Sequence, residues 1–412
     1  MRAAAWRLTA AATALTALIS GSRASFGIFL SPLNTATGLG MAAIGFAAAC
    51  GQLASGAVLP LVEALARRYG PARVMTAGAC LLAGATALLV AVHSLVALVF
   101  LMLVVSAAGT AVASNALLIG EVSRRTAAAE RGLASGVIGA GGPAGQLVLA
   151  PLVTIAIALQ GWVAALCTLG AIALFALPLA RSFPHRPQAA ATPGGLGQAG
   201  EALRDRRFWL VAGSFAMCGF HVSFLTVHMP GVIERCGMPA AFTGAWLVLA
   251  GAANMAGSVG VGVLMKRFES APLLAVVYTL RVVAIAAFVA APKSGVALLA
   301  FAVAIGLTYM AALPPTAELL ARSFGVERLS ALLGATMLIH QVGGFFGAWL
   351  GGVAVELSGS YLPLWLADGT LAAVAATLQL ALMREFRSPR PAPNAAPPAR
   401  WACAAARGRQ SA

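Results

Sequence analysis

The chain is a succession of apolar runs, each about 20 residues long and so able to cross ~30 Å of hydrocarbon as a helix. They fall roughly at 8–30, 41–65, 73–92, 95–120, 132–158, 162–180, 208–231, 240–265, 272–291, 295–320, 329–355 and 362–383. Inside lipid every backbone polar group must be satisfied within its own segment, and runs rich in Ala, Leu, Val and Gly predict helices rather than barrel strands. The first run has no clean cleavage site and continues through Phe26 to Leu33, so it reads as helix one rather than a removable leader. The pattern predicts an all-α membrane protein with twelve transmembrane helices.

Two polar stretches interrupt the pattern. Residues 181–207 contain Pro184, Pro187, Pro193, Gly194 and Gly195 and read as a flexible linker between halves. The tail 385–412 carries Pro389, Pro391, Pro393, Pro397 and Pro398 and reads as disordered. These stretches divide the chain into a first six-helix half (1–180), the linker, a second six-helix half (208–384) and the tail.

The halves repeat one another. Arg23–Ala24–Ser25–Phe26, with Pro32 seven residues past Ser25, returns as His221–Val222–Ser223–Phe224, with Pro230 seven past Ser223. Leu65 to Tyr69 returns as Leu264 to Phe268, and Glu130–Arg131 with Ala134 returns as Glu327–Arg328 with Ala331. The three offsets are 198, 199 and 197, an agreement that chance matches in an Ala-rich chain do not produce. An even number of spans per half gives both halves one orientation, a parallel repeat with a binding region between them near the midplane.

Composition removes the soluble alternatives. Hydrophobic residues make up 60% of the 412 and charged residues 9%, with a mean hydropathy of +0.90, against about a quarter charged in a soluble domain. With the N-terminus inside, 23 of the 27 basic residues fall in cytoplasmic segments, so the positive-inside rule predicts both termini in the cytoplasm of a bacterial inner membrane. The net charge of +15 is accounted for by topology and lipid headgroups, and no nucleic-acid motif accompanies it. Cys50, Cys80, Cys167, Cys218, Cys236 and Cys403 show no paired spacing, so neither a disulfide framework nor a metal site is predicted. No phosphate-binding glycine loop with Lys–Ser/Thr is present; the chain reads as no ATPase, as no enzyme of any kind, and as needing no cofactor.

Arg23 to Pro32, Glu130 to Gly136 and Gly141–Gly142–Pro143–Ala144–Gly145–Gln146 together resemble the bacterial monocarboxylate and oxalate/formate-type porters of the major facilitator superfamily. The resemblance implies the major facilitator fold, two pseudo-symmetric six-helix halves acting as a monomer. It places helices three, six, nine and twelve at the periphery. The loop after helix two departs from the family pattern Gly-x-x-x-Asp-Arg-x-Gly: Glu63 and Arg67 stand at its Gly and Asp positions, while Arg68 and Gly70 remain and Arg73 follows. Helix four has Val105 near the position of an arginine that many proton-coupled relatives carry. The run Gly141–Pro143–Gly145 resembles a helix-five motif linked to antiporters.

Arginine within a span costs roughly 2.5–3.5 kcal/mol on insertion scales and should face a water-filled cavity or a partner. Arg23 is therefore read as a bidentate clamp on a substrate carboxylate, against the alternative of snorkelling to the outer headgroups. His221 stands at the equivalent position of helix seven and is expected on the opposite wall, as a binding and coupling candidate together with His228. Further binding candidates are Asn115, Tyr309, Arg281, His340 and Gln341, with Gln52 and Gln146 in the same class; polar glue between helices is the alternative for each. Arg281 could instead reach a carbonyl or carboxylate of a neighbouring helix. Glu318 and Asp368, the acids within spans, are expected near the interfaces. Gly136, Gly141 and Gly145 in helix five and Gly343, Gly347 and Gly351 in helix eleven form close-approach stripes, expected to meet the opposite half. The function predicted is secondary transport of a small organic anion, a monocarboxylate, across the lipid bilayer. The alternatives are drug or amphiphile efflux, which would more naturally place a buried carboxylate in helix one, and a membrane sensor, which would need an output domain.

Overall fold

The computed structural model describes residues 2–127, 130–183, 200–325 and 328–387. Among the described residues ten helices are long and apolar enough to cross a bilayer, and the pair Met41–Ala57 and Leu59–Tyr69, bent by 48°, makes one further crossing. One of the ten, Ala134–Ala180, has 47 residues, about twice the length a bilayer needs. It divides at Gly161, whose φ of 81° and ψ of 168° break the helix. The spans are thus α1 (Ala3–Thr37), α2 (Met41–Ala57 with Leu59–Tyr69), α3 (Pro71–Ala91), α4 (Leu95–Ser123), α5 (134–160) and α6 (162–180). The second half has α7 (Arg206–Arg235), α8 (Ala241–Leu264), α9 (Ser270–Ala290), α10 (Gly295–Phe324), α11 (Ala331–Ser358) and α12 (Leu362–Phe386).

The sequence repeat is visible in the punctuation of the helices. Gly38 and Gly237, at φ 65° and 75°, end α1 and α7; Gly161 and Gly359, at φ 81° and 65°, end α5 and α11. Left-handed backbone of this kind strongly favours glycine, and the offsets are 199 and 198. Ser94 and Ser294 cap α4 and α10 by accepting from the N–H groups of Ala97 and Ala297.

Packing follows the same symmetry. Within the halves α1 lies along α5 and α7 along α11; between them α2 lies along α11 and α5 along α8. Large apolar side chains at the perimeter, such as Val96, Leu159, Val296 and Leu357, are at least 77% exposed, as a lipid-facing surface requires. Several breaks mark where the helices are tuned. In α1 a 3-10 turn, Phe26–Phe29, separates Arg2–Ala24 from Leu30–Thr37. In α2 Pro60 starts the segment after the bend, where its missing N–H costs nothing. In α10 the helix stops at Tyr309 and resumes at Leu313.

The structure corrects two sequence boundaries. The end of the linker belongs to the second half: Ala202 is buried in its core, Trp209 Nε1 donates to the Leu203 carbonyl at 2.8 Å, and Glu201 pairs with Arg328 at 3.3 Å. Helix α12 runs past 384, with Glu385 paired to Arg206 and its carbonyl accepting from Arg207 at 3.2 Å. Residues 184–199 and 388–412, the remainder of the linker and tail, lie outside the described residues.

Candidate functional site

Arg23 lies deep in the bundle at the end of the first segment of α1 and still keeps accessible surface, as a side chain on a cavity wall does. Its Nη2 donates to Gln52 Oε1 at 3.0 Å and to Ser55 Oγ at 3.2 Å, both on α2. These partners reach the other half: Gln52 Nε2 donates to Gln341 Oε1 at 3.0 Å, and Gln341 Nε2 donates to Ser55 Oγ at 2.6 Å. His340 Nδ1 lies 3.2 Å from the same Gln341 oxygen. Every group holding Arg23 is therefore neutral, and the guanidinium keeps its full charge at the junction of the halves. A carboxylate is the ligand that such a planar donor fork fits best.

Beside it lies a small cavity lined by Ala24, Gln146, Thr226, Trp246, Asn254 and Tyr309 among others. The Tyr309 hydroxyl is 2.5 Å from Thr226 Oγ1 and donates to the Val222 carbonyl at 3.2 Å, and Tyr309 is close enough to Arg23 to interact with it electrostatically. Asn254 Oδ1 accepts from Met310 N at 3.1 Å and so holds the break in α10 that presents Tyr309. Gln146 Nε2 donates to the Leu247 carbonyl at 3.1 Å, crossing between halves. The cavity has apolar walls with a few placed polar groups.

His221 is not on the facing wall. It is 1% exposed, and its Nδ1 lies 2.6 Å from Asp368 Oδ2 on α12, with Asp368 also 1% exposed. Its ring turns into the second half, toward α12. Asp368, expected at an interface, is a core carboxylate instead. Arg281 is buried as well: its Nη2 donates to the Thr308 carbonyl at 2.6 Å and its guanidinium lies over the Tyr278 ring at 5.6 Å. His228 Nε2 donates to the Ala348 carbonyl at 2.6 Å, which fixes its tautomer and ties α7 to α11. The side chain of Asn115 lies outside the described residues; its backbone opens the second segment of α4. Glu318 is half-buried in the second segment of α10.

The glycine stripes meet their own half, not the opposite one. A Cβ at Gly343, Gly347 or Gly351 would overlap the Ala216 carbonyl, the Phe220 carbonyl or the His228 ring, all on α7. A Cβ at Gly141 or Gly145 would overlap the carbonyls of Thr13 or Ala17 on α1, Pro143 lies between these two, and Gly136 has nothing within 4 Å. The contacts between halves use other glycines: Gly45 and Gly352 where α2 crosses α11, Gly244 and Gly251 where α8 crosses α5. In the loop motif, Arg67 pairs with Glu63 on its own helix at 3.9 Å, Arg68 lies over Tyr69, Gly70 turns at φ 89° and Arg73 is exposed. An exposed pair of that kind contributes little.

Sequence reading missed Ser55, Thr226, Trp246 and Asn254. Asn254 had a signal, since it is the one amide in the apolar run of α8; the others have common residue types that nothing in a single sequence marks.

The sequence profile described as Major Facilitator Superfamily matches residues 12–348. A curated relative, the uncharacterized MFS-type transporter YcxA of Bacillus subtilis (strain 168), is 25% identical over 260 residues, 56% of this chain and 59% of that protein. The chain thus matches about three-fifths of the length of that relative. Among solved structures, the bacterial homologue of the human lysosomal transporter Spinster, in an inward-facing and unoccupied conformation, superposes with a TM-score of 0.74 at 15% identity, over 94% of this chain and 98% of that one. A point mutant of the nucleoside transporter NupG gives 0.76 at 13%, over 92% and 99%, and the D-xylose-proton symporter 0.73 at 16%, over 91% and 97%. Apolar spans along the described residues, a parallel repeat and a cavity between its halves agree with the profile over most of the length: the chain belongs to the Major Facilitator Superfamily and is a multi-pass membrane protein.

Proposed function

We propose that this transporter is a secondary carrier for a small organic anion, a monocarboxylate, that works by alternating access as a monomer in a bacterial inner membrane. The observation that carries the reading is Arg23, a permanent cation held by neutral groups beside the cavity. A cation set among neutral groups has no counter-charge of its own, and an anionic solute supplies one on binding. Drug efflux lacks comparable support, because the charge at the cavity has the wrong sign for a cationic amphiphile.

Contacts between halves gather at the end away from the chain termini. Gly27 abuts the Thr226 carbonyl, Ser31 Oγ donates to Glu234 Oε1 at 3.2 Å, and Ala42 N donates to Glu356 Oε2 at 2.9 Å. With the termini cytoplasmic, as the arginine distribution argues, this is a carrier closed on the outside. A reporter fused after Glu385, and one inserted at 185–200, should both read cytoplasmic; a periplasmic signal from either would overturn the orientation.

The solute is tested in proteoliposomes with labelled lactate, pyruvate, formate and oxalate, and with a nucleoside and xylose for comparison. Saturable uptake of at least one carboxylate and of neither neutral solute is expected. Uptake of the neutral solutes with none of the acids would overturn the anion reading.

A further inference from the structure

The second half carries a polar cluster that the cavity does not explain. His221 on α7, Arg281 on α9 and Asp368 on α12 are each 1% exposed, and they come from three different helices. Asp368 Oδ2 takes the hydrogen on His221 Nδ1 at 2.6 Å, which leaves the Nε2 lone pair of the neutral ring without a partner. Asp368 Oδ1 and Arg281 Nε are likewise buried and unpartnered. A polar knot that served only to join helices would satisfy its atoms, because each buried unpaired group costs about 1–3 kcal/mol. Three such atoms meet in one cluster, and the Nε2 lone pair among them can take a proton.

The charges identify it. With His221 neutral, Asp368 and Arg281 cancel, and the cluster has no net charge. One proton on Nε2 makes it singly positive. The ionisable neighbours come from four helices. Cys218 lies one turn before His221 and interacts with Arg281; Tyr278 shares α9; Tyr309 faces in from α10 and His340 from α11; α8 carries no ionisable residue. The remaining cation is Arg23 across the cavity. A monoanion held there would supply the missing negative charge, so proton and anion favour each other's binding.

A single backbone element joins cluster to cavity. The first segment of α10 stops at Tyr309, so the Thr308 carbonyl lies in its last turn and has no helical partner, at the negative end of the helix. Arg281 takes that carbonyl, while the next residue, Tyr309, lines the cavity and donates to the carbonyl of Val222, beside His221.

We propose that His221 and Asp368, positioned by Arg281, form the proton-carrying site of this transporter, coupled to the cavity through the break in α10. The step is a simple proton exchange. Water delivers H⁺ to the His221 Nε2 lone pair, the imidazolium keeps its Nδ1–H on Asp368, and the proton returns to water on the other side with no other bond made or broken. Coupling to an anion rests on the function proposed above; the proton site itself does not.

The test has two arms. Purified protein in lipid films, with no solute present, is titrated from pH 4 to 9 and followed by infrared difference spectroscopy. A reversible imidazole and carboxylate signal is expected in the wild type. It should be lost in His221→Gln and Asp368→Asn, and in the double variant, whose amide pair keeps the hydrogen bond and the packing. Arg23→Lys should leave it in place. Identical spectra in the wild type and the well-folded double variant would overturn the site. In the second arm, accumulation of labelled lactate under a pH gradient is compared with lactate exchange without one. Asp368→Asn should lose about tenfold more of the first than of the second. An equal loss of both makes the cluster structural and overturns the coupling. Failure of the wild type to carry lactate counts against this solute alone, and the first arm still decides the proton site.

Discussion

Arg23→Ala is expected to weaken carboxylate binding about a hundredfold, because truncating a charged donor in a site built around it costs roughly 3 kcal/mol. Isothermal titration of purified protein with the carboxylate found in the uptake panel measures this directly. The loss has two sources. The solute gives up its only permanent counter-charge at the cavity, and Gln52 and Ser55 lose the donor that orders them beside Gln341. Arg23→Lys separates the two: an ammonium keeps the charge but cannot hold Gln52, Ser55 and a carboxylate in one plane, so a loss of about tenfold is expected. Wild-type affinity in Arg23→Ala would remove the anion site altogether.

Leucine at Gly347 is expected to destabilise the protein by about 3 kcal/mol, read as an earlier thermal unfolding in detergent. The first atom added already overlaps the Phe220 carbonyl on α7, so even alanine should be costly. Two neighbouring sites sort the cause. Gly136→Ala, with nothing within 4 Å, should unfold as the wild type does. At Gly344 a Cβ would come within 2.6 Å of Ser223 Oγ and 3.1 Å of Gln52 Cγ, across the junction of the halves, so alanine there should slow transport more than it lowers stability. If Gly347→Leu unfolds at the wild-type temperature, the close approach of α7 and α11 is not what holds the second half together.

The helical spans were legible in the sequence, and direction around each helix was not. Run lengths gave the spans, and the offsets near 198 gave the symmetry, because hydrocarbon thickness constrains the length of each helix directly. Facing is another matter. One residue turns the direction by about 100°, and helices apolar on every side offer no stripe to read it from. His221 was therefore placed on the wrong wall, while Gly343, Gly347 and Gly351 were read as a stripe without revealing that it meets α7. Asp368 was misjudged for a related reason. It sits only six residues into α12, and its burial depends on His221 and Arg281 arriving from two other helices.

The repeat has a last implication when its offset is applied to the buried cluster. Moving back 198 positions takes His221 to Arg23, Arg281 to Ala83 and Asp368 to Gly170. In the first half these two small residues touch: a Cβ on Gly170 would come within 3.0 Å of the Ala83 carbonyl. One copy of the repeated unit has thus closed this seam with small residues and carries Arg23 beside the cavity, while its twin has filled the same seam with ionisable side chains. The two halves are no longer interchangeable. A chimera built from two first halves would keep the clamp and lose every ionisable group of the seam, and one built from two second halves would do the reverse. The repeat supplies the symmetry of the fold, and divergence at three matched positions gives its halves different chemistry.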